Sequence, residues 1–541
     1  MNWSPTRQGV TRNQPVAKTG SPPRQEGQLA AFWLIAAIGL CFGLYFVLRY
    51  GGRWGEIDGV AFAGIIARVQ LEGTINYAGA YPHGYAYATW VSMLSYFTGR
   101  PIGELIQIYT PILGNVFLGI FGFAAFRRWL GSDRLGLIAA SVLFLVPELV
   151  FTVSRGNHEK ITVALTLLAS LSLLRGFLEA QTRNWGLFAA WVAVYYLVAF
   201  ALVTLNIFFG SSFIVASTLA LIFALLFLGM RRRQPLPQLR ISTQRLALRV
   251  GASWLLVMLV VWYIYPIAGQ NLEVLKTALA KLGALALSFT PESNPYESTS
   301  TDWTSPTIYR LISSFRWILF LGSFAAWLML LIPTLRIPEK ASTPRVFLLA
   351  LYGAFGLQLA AAIPVDLVGL ESGSNLQVRM YTYFAVFAAP LFTLGLSRLL
   401  GSSPGRWRVA GVAAVVLAVL SLLKATLDPL VSNRWMHYHA AEIEAIHTWS
   451  EHEQQSLLWV GPETRLYDAY YMEYNFGPSN LNDLDVARRN PYAFHTLNSS
   501  LKAANSVAWG FPQSTWLLGN RVYDNGEAQI FHRAPQTPFQ R

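Results

Sequence analysis

Residues 29–48 contain no charged side chain. At 1.5 Å of rise per residue a helix of that length crosses the ~30 Å hydrocarbon layer of a bilayer. Inside lipid every backbone N–H and C=O must be satisfied within the segment, so a run of this kind has the helix as its one open conformation. Apolar runs of similar length recur at 102–126, 134–153, 158–178, 185–204, 207–229, 246–267, 315–334, 346–365, 378–397 and 408–427. With 54% hydrophobic and 13% charged residues, the chain reads as an α-helical polytopic membrane protein of about eleven transmembrane helices.

The net charge of +13 raises nucleic acid as a partner, and its distribution excludes it. Lys and Arg gather in short segments between the runs, at 127–128, 231–249, 336–345 and 398–408. These fall at alternate loops, as the positive-inside rule requires of cytoplasmic segments. The protein is thereby expected in the plasma membrane, multi-pass, with its N-terminus in the cytoplasm. The aromatic stretch Gly84–Thr98 cannot be a span, because counting it would invert every later basic loop; it is expected to lie in the outer interface. Residues 1–28 are polar and rich in Pro, Gln and Arg, the composition of a disordered tail. The run after them is too long for the h-region of a cleaved signal, so it is expected to be a retained span. The one cysteine, Cys41, excludes an internal disulfide.

On this topology the transmembrane domain covers 29–427, with a first outer loop at 50–101 and another at 269–313. In the second, Leu272, Leu275, Leu279, Leu282 and Leu285 recur at helical spacing, as in an interfacial helix. An odd number of spans puts 428–541 outside. That tail is mixed and polar and long enough for a small α/β domain, with a helix over 440–449, a strand over 457–460 and a hairpin over 522–531 turning at Asn525-Gly526.

Charged groups beside apolar spans are costly and need a reason. Asp58, in Glu56-Ile57-Asp58, precedes the amphipathic stretch 60–67. It reads either as an N-cap carboxylate or as a general base at the membrane boundary taking a proton from an acceptor hydroxyl. Glu159 opens the span from 161, where an acid suits the helix dipole, and the topology puts it on the same face as Asp58. Two carboxylates converging there have the oxygen ligands for a divalent cation, with His158 as a nitrogen ligand. Arg379 stands at the outer end of a late span, either snorkelling or presenting its planar guanidinium to a lipid phosphate. Arg155, Lys160 and Arg310 read as interfacial anchors or as lesser phosphate ligands. There is no strand-linked Gly-x-Gly-x-x-Gly or P-loop pattern for a soluble nucleotide donor.

An acid soon after the first span, an amphipathic helix ending near Gly73 in Leu71-Glu72-Gly73, the turn Tyr81-Pro82-His83-Gly84-Tyr85 and an aromatic interfacial helix together resemble the GT-C superfamily of membrane glycosyltransferases. Two features depart from the family pattern: His83 is inserted in the turn, and the second loop has a single acid where a pair is usual. The resemblance implies a sugar donor carried on a polyprenyl phosphate and an acceptor that is glycan, lipid or protein. It also implies Asp58 as base, or else Glu56. Glu159 takes the place of the second acid, Arg379 meets the phosphate, and Tyr81 and His83 lie at the substrate. The rivals are a transporter or lipid flippase, whose charges would line a path through the midplane, and an inactive membrane scaffold of the same fold.

Overall fold

The computed structural model describes residues 24–50, 54–55, most of 62–70, 73, 84–154, 158–230, 307–336, 342–367, 376–427, 436–437, 440–452, 457–459, 494–499 and 520–533, with scattered positions from 245 to 287. In chain order these form α1 (Arg24–Tyr50), β1 (Trp54–Gly55), α2 (Ala86–Thr98), α3 (Ile102–Leu130), α4 (Asp133–Leu143), α5 (Pro147–Ser154), α6 (Glu159–Gln181), α7 (Trp185–Leu205) and α8 (Ile207–Met230). After these come α9 (Thr307–Arg336), α10 (Thr343–Leu367), α11 (Leu376–Leu400), α12 (Pro404–Leu427), β2 (Met436–His437) and α13 (Ala440–His452). The chain closes with β3 (Leu457–Trp459), β4 (Phe494–Ser499), β5 (Asn520–Asp524) and β6 (Ala528–Arg533).

Eight of the described helices are long and apolar enough to cross a membrane, nine if α4 and α5 count as one bent span. The protein is thus polytopic and α-helical, with a small α/β part towards its C-terminus. The run 246–267 lies largely outside the described residues. The aromatic stretch of the first loop is a helix of 13 residues, α2, too short to span.

The run at 134–153 is not one straight helix. It is broken between α4 and α5, whose axes differ by 77°. Pro147 has no N–H for an α-turn and its ring excludes the preceding carbonyl. The three residues before it fall back on i→i+3 bonds: Phe144 N–H to Ser141 O (3.1 Å), Leu145 to Val142 (3.0 Å) and Val146 to Leu143 (3.4 Å). All three are buried, the setting in which non-helical backbone is tolerated at membrane depth.

Helix α11 runs through the middle of the bundle, with every residue from Met380 to Leu391 buried. Phe387 stacks on Phe355 of α10 at 4.6 Å, and Tyr383 on Phe209 of α8 at 4.3 Å. The basic residues that end α3 and begin α4 and α12 meet at one end of the bundle, where the Arg134 guanidinium lies 4.9 Å from the Trp407 ring. At the opposite end, here the upper end, a second apolar cluster joins Phe62, Ile66, Tyr87, Val91, Ile106 and Leu205. It seats residues 62–67 and α2 on the tops of α3 and α7.

Gly84 is where that seat is tightest. A Cβ at Gly84 would strike the Leu205 carbonyl, and next to it Tyr85 N–H donates to Thr204 O at 3.0 Å. Gly84→Ala is therefore expected to lower unfolding free energy by about 1–3 kcal/mol, the usual range for overpacking, read as a fall in melting temperature of the purified protein in detergent.

The C-terminal strands form one sheet in the order β3-β4-β6-β5, with β3 parallel to β4 and the other pairs antiparallel. The hairpin at Asn525-Gly526 is present, but of the two only Gly526 takes positive φ, +93°. Asn525 caps the turn, its Oδ1 accepting Ala528 N–H at 2.8 Å. The Gly526 N–H beside Asp524, with Gln529 and Arg521, holds that carboxyl below its ordinary range. A separate ribbon pairs β1 with β2, Trp54 opposite His437 and Gly55 opposite Met436.

Candidate active site

Glu56, Asp58, Tyr81, His83, Arg155 and Arg310's side chain lie outside the described residues. Of the residues singled out by sequence, His158, Glu159, Lys160 and Arg379 are described, and all four sit at the upper end of the bundle.

The first three open α6 and are 1%, 6% and 0% exposed. Lys160 is consequently no interfacial anchor. Burying a charge costs several kcal/mol unless the site compensates, and here it does so in part. The Lys160 Nζ donates to Thr110 Oγ1 at 2.5 Å and lies 5.5 Å from the Tyr87 ring centroid, within cation–π range. Thr110 is aimed there by a π segment, Leu105–Tyr109, whose register ends with Thr110 N–H on Leu105 O, five residues back. Such single π turns within α-helices are frequent at functional sites. The Thr110 hydroxyl gives its own proton to Ile106 O at 2.8 Å, leaving its lone pairs to the ammonium. One turn on, Asn115 Nδ2 donates to Ser154 Oγ at 3.1 Å and ties α3 to the end of α5.

His158 wires the start of α6 to the α7–α8 junction. Asn206 Nδ2 donates to His158 Nε2 at 2.6 Å, while Asn206 Oδ1 accepts Phe209 N–H at 3.1 Å and so caps α8. An amide N–H can only donate, so Nε2 is the acceptor and its lone pair is engaged in that bond. The Phe62 ring meets the imidazole at 5.0 Å. Among the described residues no three His, Cys, Asp or Glu side chains come together as a cation site.

Arg379 is brought to the same place by α11. The Asp366 carboxylate at the end of α10 accepts the N–H groups of Leu376 and Gln377, both at 2.8 Å, and so anchors the start of that helix. Residues 379 and 383, four apart, share one helix face. Tyr383 hydrogen-bonds Thr162, three residues after Glu159. Because the Thr162 hydroxyl already donates to Glu159 O at 2.7 Å, Tyr383 is the donor. Its hydroxyl feels the charges of both Glu159 and Arg379. The upper end thus holds Glu159 and Arg379 near Tyr383 and Lys160 against Tyr87, below residues 62–67 of the first loop: a place with the charges to take a phosphate.

Sequence reasoning missed Thr110, Tyr87, Asn206 and Tyr383, which carry no signal of their own, and Asp366, whose signal was a charge at the end of the run 346–365. It also missed Glu148 and Arg316, which carried one as well. Each is a charge inside an apolar run, a functional-site hypothesis by default. They form an ion pair, Arg316 Nη1 to Glu148 Oε1 at 4.0 Å.

No family model matches the sequence, and no curated protein does. Among solved structures the chain is similar to ArnT from Cupriavidus metallidurans bound to undecaprenyl phosphate, at a TM-score of 0.49 and 12% identity over 96% of this chain and 100% of that one. It is similar to the same protein in its apo state at a TM-score of 0.39 and 13% identity, over 95% of this chain and 100% of that one.

Proposed function

We propose that the protein is a glycosyltransferase that moves a sugar from a polyprenyl-phosphate donor to an acceptor hydroxyl at the outer face of the plasma membrane. The observation that supports this reading most is the gathering of Glu159, Lys160 and Arg379 at one end of the bundle, beside the loop that carries Asp58. Charges lining a path through the midplane, as transport would want, are not what these residues form, and a buried lysine is a costly ornament for a scaffold.

In the reaction Asp58 takes the proton of the acceptor hydroxyl, the acceptor oxygen bonds to the anomeric carbon, and the bond from that carbon to the phosphate oxygen breaks. The electron pair leaves with the polyprenyl phosphate. Arg379 and Lys160 stabilise the charge that grows on that phosphate, the electrostatic help that is usually the largest catalytic contribution. Glu159 orients the phosphate or the acceptor. A divalent cation would draw on the carboxylates of Asp58 and Glu159 alone, because the Nε2 lone pair of His158 is taken by Asn206 and the nitrogen ligand expected from the sequence is not free to bind it.

Arg379→Ala is expected to lower transfer from a labelled polyprenyl-phosphate sugar by about 10²-fold, the scale of one lost transition-state donor, with the protein still monodisperse. Wild-type turnover in this variant would remove Arg379 from the reading.

A further inference from the structure

We infer that Glu148 and Arg316 are a positioning pair that sets Arg379 against Glu159; the inference rests on the reading above only for what Arg379 does, not for where it sits. Helix α5 is a transverse beam of eight residues, about 12 Å long at 1.5 Å per residue. At its far end Ser154 is held by Asn115 of α3, and four residues on the chain enters α6 at His158 and Glu159. At its near end, in the first turn after the 77° break, Glu148 grips Arg316 of α9 at 4.0 Å. Arg316 is in turn fixed to α11, because the Tyr381 hydroxyl donates to its carbonyl at 3.2 Å. Tyr381 is two residues from Arg379 and therefore lies on the opposite face of α11. One side of α11 is thus pinned by Tyr381 to α9 and α5, and the other presents Arg379 and Tyr383 to α6.

The pair has little to recommend it as a source of stability. Its separation exceeds hydrogen-bond range. The Glu148 side chain is 16% exposed, and its Oε2 is buried with no hydrogen-bond partner among the described residues. An unsatisfied buried acceptor is a cost, and with the Arg316 side chain 43% exposed the pair is of the kind that contributes little to stability. What the pair does supply is a tie between the beam that leads to Glu159 and α9, which Tyr381 joins in turn to the helix bearing Arg379.

The test uses the full chain with Cys41→Ala, which leaves no other cysteine, and Arg379→Cys as a reporter whose labelling by a charged thiol reagent reads its setting. Glu148→Gln, close in shape, is expected to change the labelling rate severalfold with the melting temperature unaltered. Glu148→Arg and Arg316→Glu should each disturb it, and the two together should bring it back towards the parent. Unchanged rates in Glu148→Gln and both single reversals, or a double reversal that restores nothing, overturn the inference. In a second arm, with Arg379 retained, Glu148→Gln should weaken binding of polyprenyl phosphate severalfold. A parent chain that does not bind polyprenyl phosphate at all would count against the glycosyltransferase reading, and the labelling arm would still decide the pair.

Discussion

Asp58→Asn is expected to lower sugar transfer by about 10²–10⁴-fold, the usual contribution of a positioned general base. The substitution separates the two roles that the sequence allows for this residue. Asn caps a helix as well as Asp does, so a carboxylate present only to cap the stretch after it would be replaced without consequence. An amide cannot take a proton from the acceptor hydroxyl, so a base would be lost almost entirely. Transfer should be followed with a labelled polyprenyl-phosphate sugar in vesicles, alongside donor binding, which the variant should retain. Turnover near that of the parent would show Asp58 to be a cap and would move the search for the base to Glu56.

Lys160→Met is expected to weaken transfer by about 10²–10³-fold, the scale set by removing one preorganised donor from a developing negative charge. Methionine keeps much of the length and none of the charge, so the slot between Thr110 and the Tyr87 ring stays filled. Thr110→Val gives the size of the smaller effect. It removes only the hydroxyl that accepts from the ammonium, a charge-assisted bond of about 1.5–3 kcal/mol, and leaves the cation in place. If Lys160 serves the phosphate, the Met variant should lose far more activity than the Val variant at similar thermal stability. If the lysine only holds α6 to α3, both variants should lose stability together and neither should lose donor affinity selectively. Thermal unfolding and polyprenyl phosphate binding, measured on the same preparations, distinguish the two.

Most of the bundle could be read from apolar run length, because a membrane leaves the chain one way to satisfy its backbone. The runs at 29–48, 185–204 and 378–397 became α1 (Arg24–Tyr50), α7 (Trp185–Leu205) and α11 (Leu376–Leu400), with only the ends moved. The break at 144–146 was hidden, since the residues on either side are as apolar as those of a straight span. Pro147 followed by a lone acid, Glu148, was its one mark. Charge beside a run is ambiguous for a different reason. Lys160 looks like an anchor in one dimension, and its burial depends on Thr110, 50 residues away, turned inward by a π segment that no periodicity announces. The meeting of Thr162 with Tyr383 spans 221 residues and belongs to packing alone. Arg379 and Glu159 could be named beforehand because each is a charge at the end of a run; the tyrosine between them could not.

The ribbon of β1 and β2 bears on the order in which the molecule is made. Trp54 and Gly55 leave the ribosome just after α1, and their partners His437 and Met436 only after α12, the last of the long apolar helices. Every helix from α2 to α12 is therefore synthesised while the strand next to Glu56 and Asp58 still awaits its mate. Strand β2 follows every long apolar helix of the bundle, so a nascent chain carries Lys160 and Arg379 well before β1, next in sequence to the acids of the first loop, is paired. Pairing of this ribbon is thus a late step of assembly, made beside the acids of the proposed chemistry.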